Sequence, residues 1–455
     1  MIDFIICASI LISLCYSLYF FRKAAGTFEL GKLNVITVTG GLFYLQTFLG
    51  ISLIMLGLDR HYTLNRLVNR EKTIIITFVV IMIVAVLFPM FMCAFLKMFK
   101  VKPSKEYKEY LASPTEYINS KYLFALICFA CVICVGLMIG LFVKIGYLPL
   151  FKMFFHSESF DMSIERIKIG GYYVIHPYIT NMAVHLGIPV ISYFTFACAL
   201  ASKQKRWYAL AAVMFTCAVF VKTYNFAKAS LPFYLLVYVF IFIYFTGGIK
   251  RRWMIAIFAV GLASFFALYL VFGVNSSLTD IYNGVYGRIL FTQVGTLSFN
   301  FELFPEYAPF LMGRSFSSLL LPLFGLSNVE QLRSARLLME VYGSEGVYKG
   351  NAGVMNSFFI GEAYANFGWV GVVISLVWVA FIIALFFTLI LKMKKTPATV
   401  TLFAYFTVNI ATTTQGGFVD FVYNIGWVVI VGALLVCHFL PYFEQKRKAK
   451  PESIQ

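Results

Sequence analysis

Charge is what this chain has least of. Only 13% of its 455 residues are Asp, Glu, Lys or Arg, against about 25% in a soluble chain. Too few polar groups remain to cover a water-facing surface, which excludes a soluble globular fold. Aspartate is scarcer still: there are five, no two close in the sequence. The paired-acid divalent-metal site of many sugar-nucleotide enzymes is therefore missing. No Gly-rich phosphate loop, Walker lysine motif, Ser-His-Asp elbow or zinc-ligand spacing is present. Nucleotide-driven transport and cytoplasmic sugar-nucleotide chemistry fit poorly, and no cofactor or metal is expected. Cys131-Val-Ile-Cys134 has redox-motif spacing but lies in an apolar run with no second pair. The nine cysteines read as packing thiols.

What the chain has is apolar length. It is 61% hydrophobic and 18% aromatic, with a mean hydropathy of +0.84. Long runs without alternation imply lipid-spanning helices rather than a barrel. They fall near 2–20, 34–58, 73–96, 122–146, 172–200, 207–223, 231–248, 253–273, 366–391, 397–412 and 425–442, about eleven spans. The predicted fold is all-α: a polytopic integral membrane bundle with one large external loop containing short helices. The first run has no basic residue before it, and Cys15-Tyr-Ser-Leu is a poor cleavage site. It is read as a retained span, not a signal peptide.

The net charge of +17 does not point to nucleic acid, because of where it sits. Alternate short loops, from Arg22/Lys23/Lys32 to Lys446/Arg447/Lys448/Lys450, hold 22 of the 37 basic residues. The positive-inside rule puts these loops and the C-terminus in the cytoplasm and the N-terminus outside. The basic loop Asp59–Lys72 fits badly, and the others outvote it. The expected organisation is eight spans over 1–273, an external or periplasmic loop over 274–357, three spans over 358–442 and a cytoplasmic tail over 443–455. Phe99–Lys121 reads as a solvated or headgroup-associated helix. In the long loop, Asn328–Tyr342 reads as a helix capped by Asn328, with Glu340 four residues after Arg336 and able to pair with it.

External basic residues are scarce enough to weigh singly. Arg166 and Lys168 precede the fifth span, Lys228 occupies a very short turn, and Arg288 follows the eighth span in Tyr286-Gly-Arg-Ile. Together they suit a multiply charged anion at headgroup depth, above all a lipid pyrophosphate. The alternative is ordinary snorkelling to lipid phosphates. For Arg333 and Arg336 a solvated or salt-bridged face is the default reading. Glu362 stands among apolar and small residues at the external end of the ninth span. A carboxylate there is costly unless paired, so it is either a general base or the partner of a nearby Arg or Tyr364. His176, before Pro177, is a reserve base. His176, Tyr286, Asn356 and Tyr364 are the positions assigned to glycan contact.

The order of these parts resembles the Wzy-type oligosaccharide repeat-unit polymerases, within the wider O-antigen polymerase and ligase group. Glu362-Ala-Tyr-Ala-Asn-Phe-Gly368-Trp-Val-Gly371 is similar to that group's late-span opening, Glu-x5-Gly-x2-Gly. Arg166/Lys168, Lys228 and Arg288 correspond to the group's external basic positions. At the short turn this chain has Lys228 where arginine is usual. Met355-Asn356 stands where ligase-like members have His-Asn. The resemblance implies an inverting, metal-independent glycosyltransferase of a bacterial inner or plasma membrane. It would join polyprenyl-pyrophosphate-linked oligosaccharides, donor to acceptor, with a chain-length-regulating co-polymerase as a further partner. A glycan ligase, or a transporter of lipid-linked sugars, is the alternative.

Overall fold

The computed structural model describes residues 2–155, 162–225, 229–271, 280–326, 329–348, 350 and 352–448. Every regular element among them is helical. Eight helices are long and apolar enough to cross a membrane: Asp3–Ala25, Val35–Met55, Arg70–Met98, Lys121–Ile145, Pro177–Ser202, Lys205–Thr223, Phe359–Lys392 and Val419–Arg447. The other three predicted runs are also helical, as Ser230–Thr246, Arg251–Val271 and Pro397–Thr413. Many outward positions are bulky and apolar, such as Phe4, Leu11, Phe129 and Val143. Such surface suits lipid and would be a liability in water. The chain is built as a multi-pass membrane protein.

It divides into two compact units. The first comprises Met1–Lys108, Phe266–Leu391 and Asn409–Asn424. Here Ile2–Ala25 packs along Arg70–Met98, and the rings of Phe43, Phe88, Phe358 and Phe359 meet at centroid distances of 4.4–6.4 Å. Asn34 starts the second span: its Oδ1 accepts from the amides of Ile36 and Thr37, and Thr37 Oγ1 accepts from the Asn34 amide. The predicted large loop holds more structure than its composition suggests. Thr292–Leu303 is a helix with every residue from Val294 onward buried. It packs against Arg70–Met98, where Thr77 and Ser298 share a 2.9 Å hydroxyl–hydroxyl bond. The helix expected over Asn328–Tyr342 begins only at Ser334, because Arg333 is extended (φ −82°, ψ 140°). Asn328 lies outside the described residues.

The second unit comprises Glu109–Phe265, Lys392–Val408 and Ile425–Gln455. Ile188–Ser202 and Lys205–Thr223 form a tight hairpin turning through Lys203, with Trp207 buried against Phe124 and Phe194. Ser192, Tyr234 and Tyr238 share hydroxyl hydrogen bonds of 2.8–3.0 Å, the polar adhesive that helices use in lipid. Of the predicted solvated helix over Phe99–Lys121, Pro103–Ala112 is helical and Lys121 already opens the next helix, and Tyr110 and Leu111 are buried. In this unit Lys395 donates to the carbonyls of Tyr110, Leu111 and Ser113 at 2.8–3.4 Å. Burial lowers its pKa to about 8.

Candidate functional site

The late-span motif works by breaking its own helix. Within Phe359–Lys392, Phe367 and Gly368 leave helical geometry, and Gly368 adopts φ +60°, ψ −146°, which a side chain would resist. The carbonyls at the break accept from an earlier segment: Ala365 O from Leu311 N–H at 2.9 Å and Asn366 O from Met312 N–H at 3.1 Å. Asn366 joins both sides, donating to Glu362 O at 2.8 Å and accepting from Gly313 N–H at 3.1 Å. Past the break Gly371 lies against Ala363 O, where a Cβ would collide. The motif's two glycines therefore allow a sharp, tightly packed opening that seats Glu362.

Glu362 is 3% exposed and does not stand alone. Arg333 grips it in a fork, Nε to Oε1 at 2.9 Å and Nη2 to Oε2 at 3.0 Å. Val419 N–H adds a third bond to Oε2 at 3.1 Å. The same guanidinium reaches Asp420, Nη1 to Oδ1 at 3.3 Å and Nη2 to Oδ2 at 3.0 Å. Burial alone would weaken the charge on Arg333, but Glu362 and Asp420 outweigh it and hold its pKa above that of a free arginine. Gly417 makes the approach possible: a Cβ there would overlap Glu362 Oε2 and Arg333 Nη2.

The Arg333 segment is anchored again nine residues on. Tyr342 stacks on Phe299 at 3.9 Å and donates to Glu302 at 2.9 Å, while Arg66 donates to Tyr342 O at 2.7 Å. Burial and Glu302 both push the Tyr342 hydroxyl pKa up. Glu302 also accepts from Asn69 N–H at 2.8 Å. A polar seam follows Thr292–Leu303. Thr296 donates to Asn356 O at 2.7 Å and Asn300 donates to Ser357 at 3.2 Å, next to Gly361. Along it the buried amide oxygens of Gln293, Asn300 and Gln415 have no hydrogen-bond partner among the described residues. Such oxygens can accept from hydroxyl groups.

The triad has net charge −1, with Arg333 and Asp420 side chains 32% and 31% exposed. Glu362, with both oxygens engaged, is placed to orient Arg333. Asp420 is the carboxylate at the accessible edge. The expected pair Arg336–Glu340 is present at 2.8 Å. Arg288 and Tyr286 are exposed on Val285–Leu290. Asn356 has an exposed side chain. Tyr364 is buried among the rings of Phe301, Phe310 and Trp369 and is not part of the triad. Arg166 and Lys168 are exposed on Met162–Gly170. His176 caps Pro177–Thr180, accepting from Tyr178 N–H at 3.3 Å. Lys228 lies outside the described residues. Asp420 and Gly417 were not legible as site residues. Their one signal is an acid after Gly416-Gly417 in an otherwise apolar stretch.

Compared with protein-family models, curated proteins and solved structures, the chain matches none of them.

Proposed function

We propose that this protein is a membrane glycosyltransferase that polymerises polyprenyl-pyrophosphate-linked oligosaccharide repeat units on the external face of a bacterial inner or plasma membrane, with its N-terminus outside and its C-terminus in the cytoplasm. One observation carries the reading. The acid that opens the late-span motif, Glu362, holds a guanidinium from the polar segment before that span, with a second carboxylate at the accessible edge. In this reading an acceptor sugar hydroxyl attacks the donor's anomeric carbon from the face opposite the pyrophosphate. The carbon–oxygen bond to pyrophosphate breaks as the new glycosidic bond forms. Arg288, Arg166, Lys168 and Lys228 stabilise the departing charge without a metal. Glu362 orients the triad, and the hydroxyl proton passes to a carboxylate of the triad or to the leaving pyrophosphate. His176, Tyr286, Asn356 and Tyr364 are the proposed glycan contacts.

A deletion strain tests the class. Surface glycans reduced to single repeat units support a polymerase. Long chains that are made but not attached mark a ligase, and lipid-linked units trapped on the cytoplasmic face mark a transporter.

A further inference from the structure

The second unit carries a cation that the scheme above leaves unused. Lys222 lies in the last turn of Lys205–Thr223 and is partly buried. Among the described residues it has no carboxylate partner. Its hydrogen bond there runs from Nζ to the backbone oxygen of His185 at 3.3 Å. The other lysines at this end are better served. Lys144 donates to Tyr173 O and Val174 O, both at 3.0 Å. Lys152 pairs with Glu165 at 3.9 Å and covers the Tyr147 ring. A charge on a spanning helix is costly unless it is paired, and one carbonyl dipole does not pair it. Snorkelling to lipid does not account for it either, since Nζ turns inward to a neighbouring helix.

What it turns towards is unusual. His185 lies in a π-turn, Asn181–Gly187, which interrupts the regular ladder of the Pro177–Ser202 span. Its ring lies flat on Tyr224 at 4.3 Å, and its Nδ1 is shielded from water with no hydrogen-bond partner among the described residues. A shielded cation and a ring nitrogen without a described partner lie within one unit. A negatively charged oxygen would satisfy both, accepting from Lys222 Nζ and from His185 in its Nδ1–H tautomer.

We propose that Lys222 and His185 form an anion-binding site for a phosphate oxygen. It is the inner seat of the lipid pyrophosphate. That identity rests on the proposed function, whereas the binding does not.

Calorimetry on the purified full-length protein in detergent tests it, with three probes: a short-chain polyprenyl pyrophosphate, inorganic pyrophosphate and the matching uncharged alcohol. Wild type should bind the pyrophosphate lipid and not the alcohol. Lys222→Met should weaken binding roughly 10- to 100-fold, the usual worth of a charge-assisted bond, while Lys222→Arg retains most of it. His185→Phe, which keeps the stacking on Tyr224, should also weaken it. Binding of inorganic pyrophosphate as tight as that of the lipid would support the site and name its ligand a free anion. Unchanged affinity in a folded Lys222→Met protein, or equal binding of the alcohol, overturns the proposal. Thermal unfolding separates a structural role, in which Lys222→Met loses stability but not affinity. Lys222-dependent binding in a protein whose deletion leaves glycan length unchanged would sink the polymerase reading and keep the site.

Discussion

Arg333 in the first unit meets two carboxylates, one of them also anchored by a backbone amide, whereas Lys222 in the second meets, among the described residues, a single backbone carbonyl. Both are basic residues in a protein short of charge, yet the fold treats them in opposite ways. A guanidinium has a planar fork that two acids can fill from different sides, so Arg333 is saturated by the protein itself. It locks the chain from 333 to the opening of a span and to residues 419–420. Lys222 has a compact point charge and no such partner among the described residues. A saturated cation belongs to the architecture. Lys222, without an acid among the described residues, is the one proposed above to take an anion from outside the chain.

The largest test of this contrast removes the saturated cation. Arg333→Ala strands Glu362 in a buried position, and breaking a buried pair from one side costs about 3–5 kcal/mol. The expected outcome is a steep fall in thermal stability in detergent and in steady-state protein level. Wild-type stability would erase the distinction between the two kinds of cation. Arg288→Ala should do the reverse. As an exposed cation proposed to face the leaving pyrophosphate, it should slow polymer formation roughly 100-fold at normal stability, with Arg288→Lys a partial rescue. A normal glycan ladder from a normally expressed protein would remove it from the site.

A third test concerns a group that the first unit keeps uncharged. His61 is fully buried, with Nδ1 2.6 Å from Thr63 Oγ1, and burial lowers its pKa from 6.5 to about 4 against the opposing pull of Asp280. The unfolded chain therefore binds the proton first. The stability due to neutral His61 is complete above about pH 6.5 and is lost as pH falls towards 4, by roughly 2–3 kcal/mol. Unfolding measured across that window should show the loss, and His61→Gln should flatten it. The smallest effect should come from Gly417→Ala. Its Cβ meets the ends of Glu362 and Arg333, so overpacking should cost about 1–3 kcal/mol. Unchanged stability would mean the triad has room to move.

Several parts of this picture were legible in the residues and several were not. Apolar runs declared the helices because lipid leaves the backbone no other way to bond itself. Glu362 declared itself as an acid in an apolar setting, though not its partner, which lies 29 residues earlier. Thr292–Leu303 read as loop because its Thr, Gln, Ser and Asn lower its hydropathy. In the fold those same groups face the polar seam. Arg336–Glu340 was legible because the two are four residues apart on one helix, a spacing that needs no tertiary contact.

The sequence by itself determined that the chain is helical and built for lipid, and where its apolar helices run. Those properties follow from local composition and from backbone hydrogen bonds made within each segment. Only the tertiary structure decided which charges are spent and which are left over. Arg333, Glu362 and Asp420 become one group because a helix break at Gly368 and the absence of a side chain at Gly417 let distant segments close on each other. Lys222 stays without an acid because no described carboxylate reaches it. Pairing acts over a few ångströms of space, and separation along the chain does not report that distance.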